Sequence, residues 1–339
     1  MVQELLEKLT RREDLTSEEA SSAMAEIMDG RATDAAMAAF LMGLAMKGER
    51  PAEIVGLARA MRDRSVKLAL SREDAMDLCG TGGDRAGTFN ISSVASLVVA
   101  ACGVLVAKHG NRSVSSRCGS ADLFEALGVP VALPPAVVEL MLDEAGMAFL
   151  FAPVFHPSMR HAAPVRRALG IRTAFNLLGP LTNPVGPRRQ VVGVPRPELT
   201  ELIARSLALL GSDRAWVVHS ADGLDEISTV GYTKVSECRQ GAVNTFYIHP
   251  ADYGLPRAAP ESIRGGDAAT NAAIARDVLG GGRGAPREIV LLNAAAALLV
   301  AGTVPTMAEG IERAADAIDS GHAAGVLARM AALSAGVES

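Results

Sequence analysis

Through about the first seventy residues, apolar positions recur every three or four residues with no strand-like alternation, the period of amphipathic helices that bury one face. Thr16-Ser17-Glu18-Glu19 reads as a capping-box start and Gly30 as a stop, with Ser/Thr and Glu satisfying each other's free N–H groups. Thr33 caps an Ala/Met-rich helix that ends near Gly48, and Pro51 suits the first position of a further helix running to about Val66. The leading Met1–Asp14 stretch mixes charges of both signs with short apolar spacing, which reads as a surface helix and not a signal peptide.

From about Asp74 the pattern changes to short apolar runs alternating with helical stretches. The runs Met76–Cys79, Val104–Lys108, Ala148–Phe151, Gln190–Val194 and Ala215–His219 predict strands, and Ile91–Ala101, Ala121–Leu127, Pro135–Glu144 and Pro197–Leu210 predict helices. That alternation signals a largely parallel sheet with helical crossovers. Lys234–Cys238 and Ala242–Ile248 flank Arg239-Gln240-Gly241 and predict an antiparallel hairpin on the same sheet. His156–Pro184 breaks the rhythm with prolines at 157, 164, 180 and 184, so this segment is expected to leave the sheet and pack beside the N-terminal helices. Ala268–Leu279, Ala285–Leu299 and Met307–Met330 predict three closing helices. The fold class is therefore α/β: a small all-helical domain plus a large α/β domain with a mostly parallel, mixed central sheet flanked by helices. The expected boundaries are 1–72, with about 157–184 packing back, and 73–156 with 185–339.

Composition narrows the function. The chain has 339 residues, 49% apolar and 21% charged, with a net charge of −5 and 4% aromatics. The acidic balance and the scarcity of aromatics argue against a nucleic-acid surface. Cys79, Cys102, Cys118 and Cys238 form no Cys-x-x-Cys pair, so a zinc site or disulfide framework is not expected. The longest apolar runs, Val94–Val106 and Ile289–Gly302, are too short to span a bilayer. A cytoplasmic protein without membrane association is the expectation.

Candidate chemistry collects at the ends of predicted strands. Gly80-Thr81-Gly82-Gly83-Asp84 follows the first run and precedes Asn90-Ile91-Ser92-Ser93 at a helix start. Glycines let the backbone approach a ligand, and a helix N-terminus offers unpaired N–H groups to an anion; a ligand-free strand-to-helix turn is the other reading. Neither the dinucleotide fingerprint nor the Gly-Lys-Ser/Thr nucleotide loop is completed, since Arg85 occupies the third-glycine position and no lysine occurs between the glycine loop and Lys108. Lys108 to Asp122 then holds three fixed cations, four serines and two glycines in fifteen residues. That is the donor inventory for a highly charged phosphate ester, and a solvated basic loop is the bland alternative. Ser220-Ala221-Asp222-Gly223-Leu224-Asp225-Glu226 could place two carboxylates on one site for a hard cation such as Mg2+, or be an exposed turn. Among His156, Arg160, His161, Arg166 and Arg167, one arginine could receive a carboxylate and the rest are surface charges.

Taken together, Gly80–Asp84, Asn90–Ser93, Lys108–Asp122, Pro164-Val165-Arg166 with Arg172-Thr173-Ala174-Phe175-Asn176, Leu178–Pro184, Asp222–Glu226 and Ile289–Leu298 resemble the anthranilate phosphoribosyltransferases over nearly the whole chain. Ser93 stands where that family often has threonine, and Cys118 where serine is common; both keep small polar or polarisable groups. The resemblance implies transfer of the phosphoribosyl group from 5-phosphoribosyl 1-pyrophosphate to the amine of anthranilate, in tryptophan biosynthesis. It implies that Gly80, Gly83, Asp84, Thr88, Asn90, Ile91, Ser92, Ser93, Lys108, His109, Gly110, Asn111, Arg112, Ser113, Val114, Ser115, Ser116 and Ser120 hold phosphoribosyl pyrophosphate. Gly80, Asn111 and Arg166 would meet anthranilate, and Ser92, Asp225 and Glu226 would bind Mg2+, two ions per subunit. It further implies a homodimer formed through the helical part.

No covalent nucleophile or dedicated base is expected, because an oxocarbenium-like ribose carbon needs neither; positioning and electrostatics at the leaving pyrophosphate carry the reaction. Two other readings stand beside this one. A paralogous phosphoribosyltransferase or nucleoside phosphorylase would use a different acceptor, which Asn111 together with Arg166 argues against. A non-catalytic nucleic-acid-binding relative is disfavoured by the acidic charge and the Asp225-Glu226 pair.

Overall fold

The structure is a computed structural model that describes residues 2–72, 74–84, 86–113 and 117–336. Helices α1 (Val2–Thr10), α2 (Ser17–Met28), α3 (Asp34–Lys47) and α4 (Pro51–Asp63) come first. Thr16 and Glu19 form the capping box at the start of α2, with bonds of 3.1 and 2.9 Å. Glu53 is fully buried and accepts the Leu15 and Arg50 N–H groups at 2.8 Å each and Lys47 Nζ at 3.0 Å. It thereby ties α4 to the end of α3 and to the α1–α2 connection, which makes a buried charge tolerable. The fourth helix stops three residues before Val66, whose N–H donates to Phe155 O at 2.9 Å. That bond turns the chain toward the sheet.

The sheet has seven strands: β1 (Met76–Gly80), β2 (Val106–Gly110), β3 (Met147–Phe151), β4 (Arg189–Gly193), β5 (Arg214–Ser220), β6 (Thr233–Arg239) and β7 (Ala242–Ile248), in the order β3-β2-β1-β4-β5-β6-β7. The first five run parallel; β6 pairs antiparallel with β5, and β7 antiparallel with β6. Gln240 and Gly241 join β6 to β7 with φ of 51° and 81°, the two positive values that a two-residue hairpin turn demands. Helix α5 (Ile91–Ala101) connects β1 to β2. The expected helix Met307–Met330 is two helices, Met307–Asp319 and His322–Ser334, divided at Gly321 with φ 76°.

One correction of register matters for the site. The second strand begins at Val106, two residues later than expected, because Leu105 belongs to the connection and offers only its carbonyl, to Met76 N–H. The strand also ends two residues later, at Gly110, so both Lys108 and His109 lie inside it, where neighbouring side chains point to opposite faces.

The two faces of the sheet belong to different cores. One core unites the face carrying Leu78 and Val106 with α5 and the C-terminal helices. The other joins α1–α4, residues 162–181, helix Leu199–Leu209 and the face carrying Val192 and Val217. The segment 157–181 thus packs among the N-terminal helices while remaining continuous with one side of the sheet. Among the described residues, no helix is long and apolar enough to cross a membrane.

Candidate functional site

Successive strands move outward from β1 in both directions, so the order reverses between β1 and β4. Ligands of open α/β sheets bind at such a switch point, beyond the carboxyl ends of the strands. Here Gly80 of β1 pairs with Gly193 of β4. Asp225 lies across both: a Cβ on Gly80 would stand 2.6 Å from Asp225 Oδ2, and one on Gly193 only 1.6 Å from the Asp225 carbonyl oxygen. Two glycines side by side are what lets the 222–227 loop close over the sheet end. The Gly82 N–H, at φ 66°, donates to Asp225 Oδ2 at 3.0 Å.

The acidic pair reaches the first turn of α5. Glu226 Oε1 accepts the Ser92 N–H at 3.1 Å, so a carboxylate lies at the anion-seeking end of the helix. Lys108 extends from β2 onto the same spot, buried, with Nζ bonded to Leu78 O and 3.5 Å from Ser92 Oγ. Burial raises the Glu226 carboxyl to about 7, against the pull of Lys108 and Ser92. Burial, together with Asp84 and Glu226 alongside, pushes the Asp225 carboxyl well above the usual carboxylate range. Crowded, desolvated carboxylates of this kind are relieved by a cation. Among the described residues no three His, Cys, Asp or Glu side chains converge into a closed cage. Two carboxylates and a serine hydroxyl are hard oxygen donors that suit Mg2+, which keeps waters and takes substrate phosphate oxygens.

Other expected residues are distributed unevenly. Ser93 Oγ donates to Ser120 Oγ at 3.1 Å, joining the α5 start to helix Ser120–Ala126. The Asn90 amide bonds Cys118 O at 3.2 Å, and Thr88 forms a bridge with Arg264. Asn111 caps its neighbour, accepting the Arg112 N–H at 2.7 Å. Arg112 itself turns to Asp122 (2.8 Å) and Glu125 (2.7 Å) on the following helix, whereas Lys108 Nζ lies 3.5 Å from Ser92 Oγ. Val114, Ser115 and Ser116 lie outside the described residues.

His109 points to the face opposite Lys108. Its Nδ1 sits 3.2 Å from Gly179 O and its ring 5.2 Å from that of His156. Burial lowers the two rings to about 3 and about 4, and each has a buried Nε2 without a hydrogen-bond partner among the described residues. They are two neutral rings at the junction between sheet and segment 157–181. Arg166 is half-buried and stacks over Phe175 at 5.0 Å, and burial lowers its pKa. No hydrogen bond or ion pair of its guanidinium occurs among the described residues, which leaves a desolvated cation available to an anion.

The chain is 54% identical over 332 residues to an anthranilate phosphoribosyltransferase of Moorella thermoacetica, covering 98% of both chains. It is 52% identical to one of Syntrophobacter fumaroxidans, over 95% of this chain and 96% of that one. The chain belongs to the anthranilate phosphoribosyltransferase family. Residues 3–65 match the helical bundle domain and residues 72–324 the a/b domain of the glycosyl transferase family. A crystal structure of anthranilate phosphoribosyltransferase from Thermus thermophilus superposes with a TM-score of 0.92 at 45% identity, over 97% of this chain and 98% of that one. The Saccharomyces cerevisiae enzyme, described in complex with PRPP and Mg, gives 0.89 at 27% identity, over 99% and 98%.

In this family member several site neighbours escaped the sequence reading. Gly193 ends β4, whose polar residues Arg189 and Gln190 lie at its other end. Arg172 reaches from segment 157–181 to donate to Gly82 O at 2.9 Å, and a Cβ on Gly83 would stand 1.8 Å from its Nη1. Asn293 clamps the acidic loop through the Ile227 N–H (3.0 Å) and carbonyl (2.8 Å). Asn183 bonds Asp77 and Ala107 O at 2.9 and 2.8 Å beneath the strand ends. Arg172, Asn293 and Asn183 lie in motifs noted for their resemblance, but only tertiary contacts assign their partners.

Proposed function

We infer that this protein transfers the phosphoribosyl group from 5-phosphoribosyl 1-pyrophosphate to the amine of anthranilate, giving N-(5-phosphoribosyl)anthranilate and pyrophosphate. The observation that carries this reading is the convergence of Lys108, Ser92 and Glu226 at the start of α5, in a chain 54% identical over nearly its full length to an enzyme of that name. Magnesium use is supported by the yeast relative solved with PRPP and Mg.

Ser92, Asp225 and Glu226 would hold Mg2+, two ions per subunit in this reading, and the metal would supply charge neutralisation at the pyrophosphate. The Lys108 ammonium, desolvated inside the sheet end, is a preorganised donor for the negative charge that develops on the leaving group. Gly80, Gly83, Asp84, Thr88, Asn90–Ser93, Lys108–Ser116 and Ser120 surround the phosphoribosyl pyrophosphate. For His109 the main chain is the part offered to it, because the ring faces away. Arg166 pairs with the anthranilate carboxylate, with Asn111 and Gly80 beside the acceptor. No residue attacks C1; the enzyme aligns the amine with it and excludes water.

Three structural readings accompany this. The chain divides into 1–72 with 157–184, and 73–156 with 185–339. The protein is cytoplasmic. It dimerises through the helical part: α3 is apolar on almost every side and leaves Ala35, Ala39 and Met46 accessible to solvent, the kind of face a second copy covers. The reaction is tested by mixing protein, Mg2+ and phosphoribosyl pyrophosphate with anthranilate and following loss of its fluorescence. Persistent fluorescence with folded protein refutes the assigned acceptor.

A further inference from the structure

Residues 87–90, which lead into α5, are held by a segment far along the chain. Thr88 and Arg264 form an antiparallel bridge, Gly265 N–H donates to Gly87 O at 2.9 Å, and Phe89 N–H donates to Ile263 O at 3.4 Å. At the end of this short ladder stands Asn271, 2% exposed, near the start of helix Ala268–Leu279. Its Nδ2 donates to Asn90 Oδ1 at 2.9 Å, while its Oδ1 accepts the Gly266 N–H at 2.7 Å. A Cβ on Gly265 would lie 2.6 Å from both Asn271 Oδ1 and the Phe89 nitrogen, so the contact is built around a missing side chain.

We propose that Asn271 is a positioning residue for phosphoribosyl pyrophosphate, acting through the Asn90 amide. The proposal rests on the reading above that this sugar pyrophosphate is the ligand. An asparagine side chain has two N–H donors and one carbonyl oxygen. In Asn90 the oxygen takes Asn271 Nδ2 and the Cys118 thiol, the latter at 3.3 Å, and one N–H goes to Cys118 O. What remains for a ligand at the mouth of α5 is the other N–H. Asn271 Nδ2 can only donate to Asn90, so it holds the carbonyl end of Asn90 away from the position where that N–H points. Rotating the amide by half a turn would present an oxygen to an anionic substrate and strand two donors against each other.

The test is a double-mutant cycle read by calorimetric titration with phosphoribosyl pyrophosphate and Mg2+, without anthranilate, and by the KM of each substrate. Asn271→Ala should weaken phosphoribosyl pyrophosphate about tenfold, the loss of one buried hydrogen bond, and leave the anthranilate KM within about twofold. Asn90→Ala combined with Asn271→Ala should bind no more weakly than Asn90→Ala alone, because the second residue acts through the first. Unchanged binding in Asn271→Ala, equal rises in both KM values, or fully additive losses in the double variant would each overturn the proposal. Asn271→Ser gives the same comparison should the alanine variant be recovered unfolded. Failure of the unmodified protein to bind phosphoribosyl pyrophosphate at all would instead remove the reading on which the proposal stands.

Discussion

Removal of the Arg166 guanidinium separates the acceptor from the rest of the site. Arg166 has a stacking contact with Phe175 and no anionic partner among the described residues. Arg166→Ala therefore forfeits a cation–π contact of about 0.5–1 kcal/mol and removes a desolvated charge, an effect in the opposite direction, so thermal stability should hardly move. With anthranilate bound, a partly buried, charge-assisted guanidinium–carboxylate pair contributes about 2–4 kcal/mol. The anthranilate KM should then rise roughly 30- to 1,000-fold, while the KM for phosphoribosyl pyrophosphate stays within about threefold. Arg166→Lys keeps a point charge without the planar fork and should fall between. Loss of anthranilate fluorescence at saturating phosphoribosyl pyrophosphate and Mg2+ gives the anthranilate constant, and the converse titration at saturating anthranilate gives the other. Equal increases in the two KM values, or a large fall in Tm with little kinetic effect, would refute the carboxylate role.

Gly193→Ala should leave the protein folded but cut kcat/KM by about tenfold or more, because its Cβ would meet backbone atoms of Asp225 at 1.6 and 2.5 Å and displace the acidic loop; wild-type kinetics would show that the loop tolerates the shift. The neutral rings of His109 and His156, lowered from 6.5 to about 3 and about 4, contribute stability that is complete above pH 6.5 and lost as pH falls below it. Asp77, raised to about 6, acts in the opposite sense. Asp225 and Glu226, both raised by burial, act with Asp77, so the histidine effect is read as a difference: from pH 7 to pH 4.5 the Tm of the parent protein should fall relative to that of His156→Gln, and parallel Tm profiles would reject the assignment. Ala39→Arg on the uncovered face of α3 should halve the mass measured by sedimentation equilibrium, and an unchanged mass would place any dimer contact elsewhere.

Much of this architecture was legible because local chemistry and period agreed. The capping box at Thr16, the proline at helix position 51 and the Gln240-Gly241 turn each fix a boundary through atoms within a few residues of one another. The sheet was equally legible, since short apolar runs between helices admit few topologies. Boundaries decided by a distant partner were not. The start of β2 depends on which carbonyl Met76 uses, and the end of α4 on a bond from Val66 to Phe155. Neither partner is visible in the local pattern.

The same distinction divides the site. Motifs that could face a ligand were recognisable from residue type alone: glycines, a lysine–serine loop and adjacent carboxylates at strand ends. Their allegiances were not. Arg112, counted by type among the phosphate-binding cations, is drawn to Asp122 and Glu125 at 2.8 and 2.7 Å, because a helix that brings two carboxylates to its guanidinium leaves it little to gain from solvent. Lys108, one strand residue away from His109, reaches Ser92 because the register of β2 puts alternate side chains on opposite faces. Ending that strand at Lys108, two residues early, leaves the facing parity intact but places His109 on a loop, where its ring would be free to meet substrate. In the observed register the strand holds His109 while its ring contacts Gly179 and His156. Gly193 was silent for a related reason: a glycine at a strand end has many uses, and only its pairing with Gly80 beneath Asp225 selects one. Site chemistry can therefore be read from composition at strand ends, whereas the direction of each side chain waits on register.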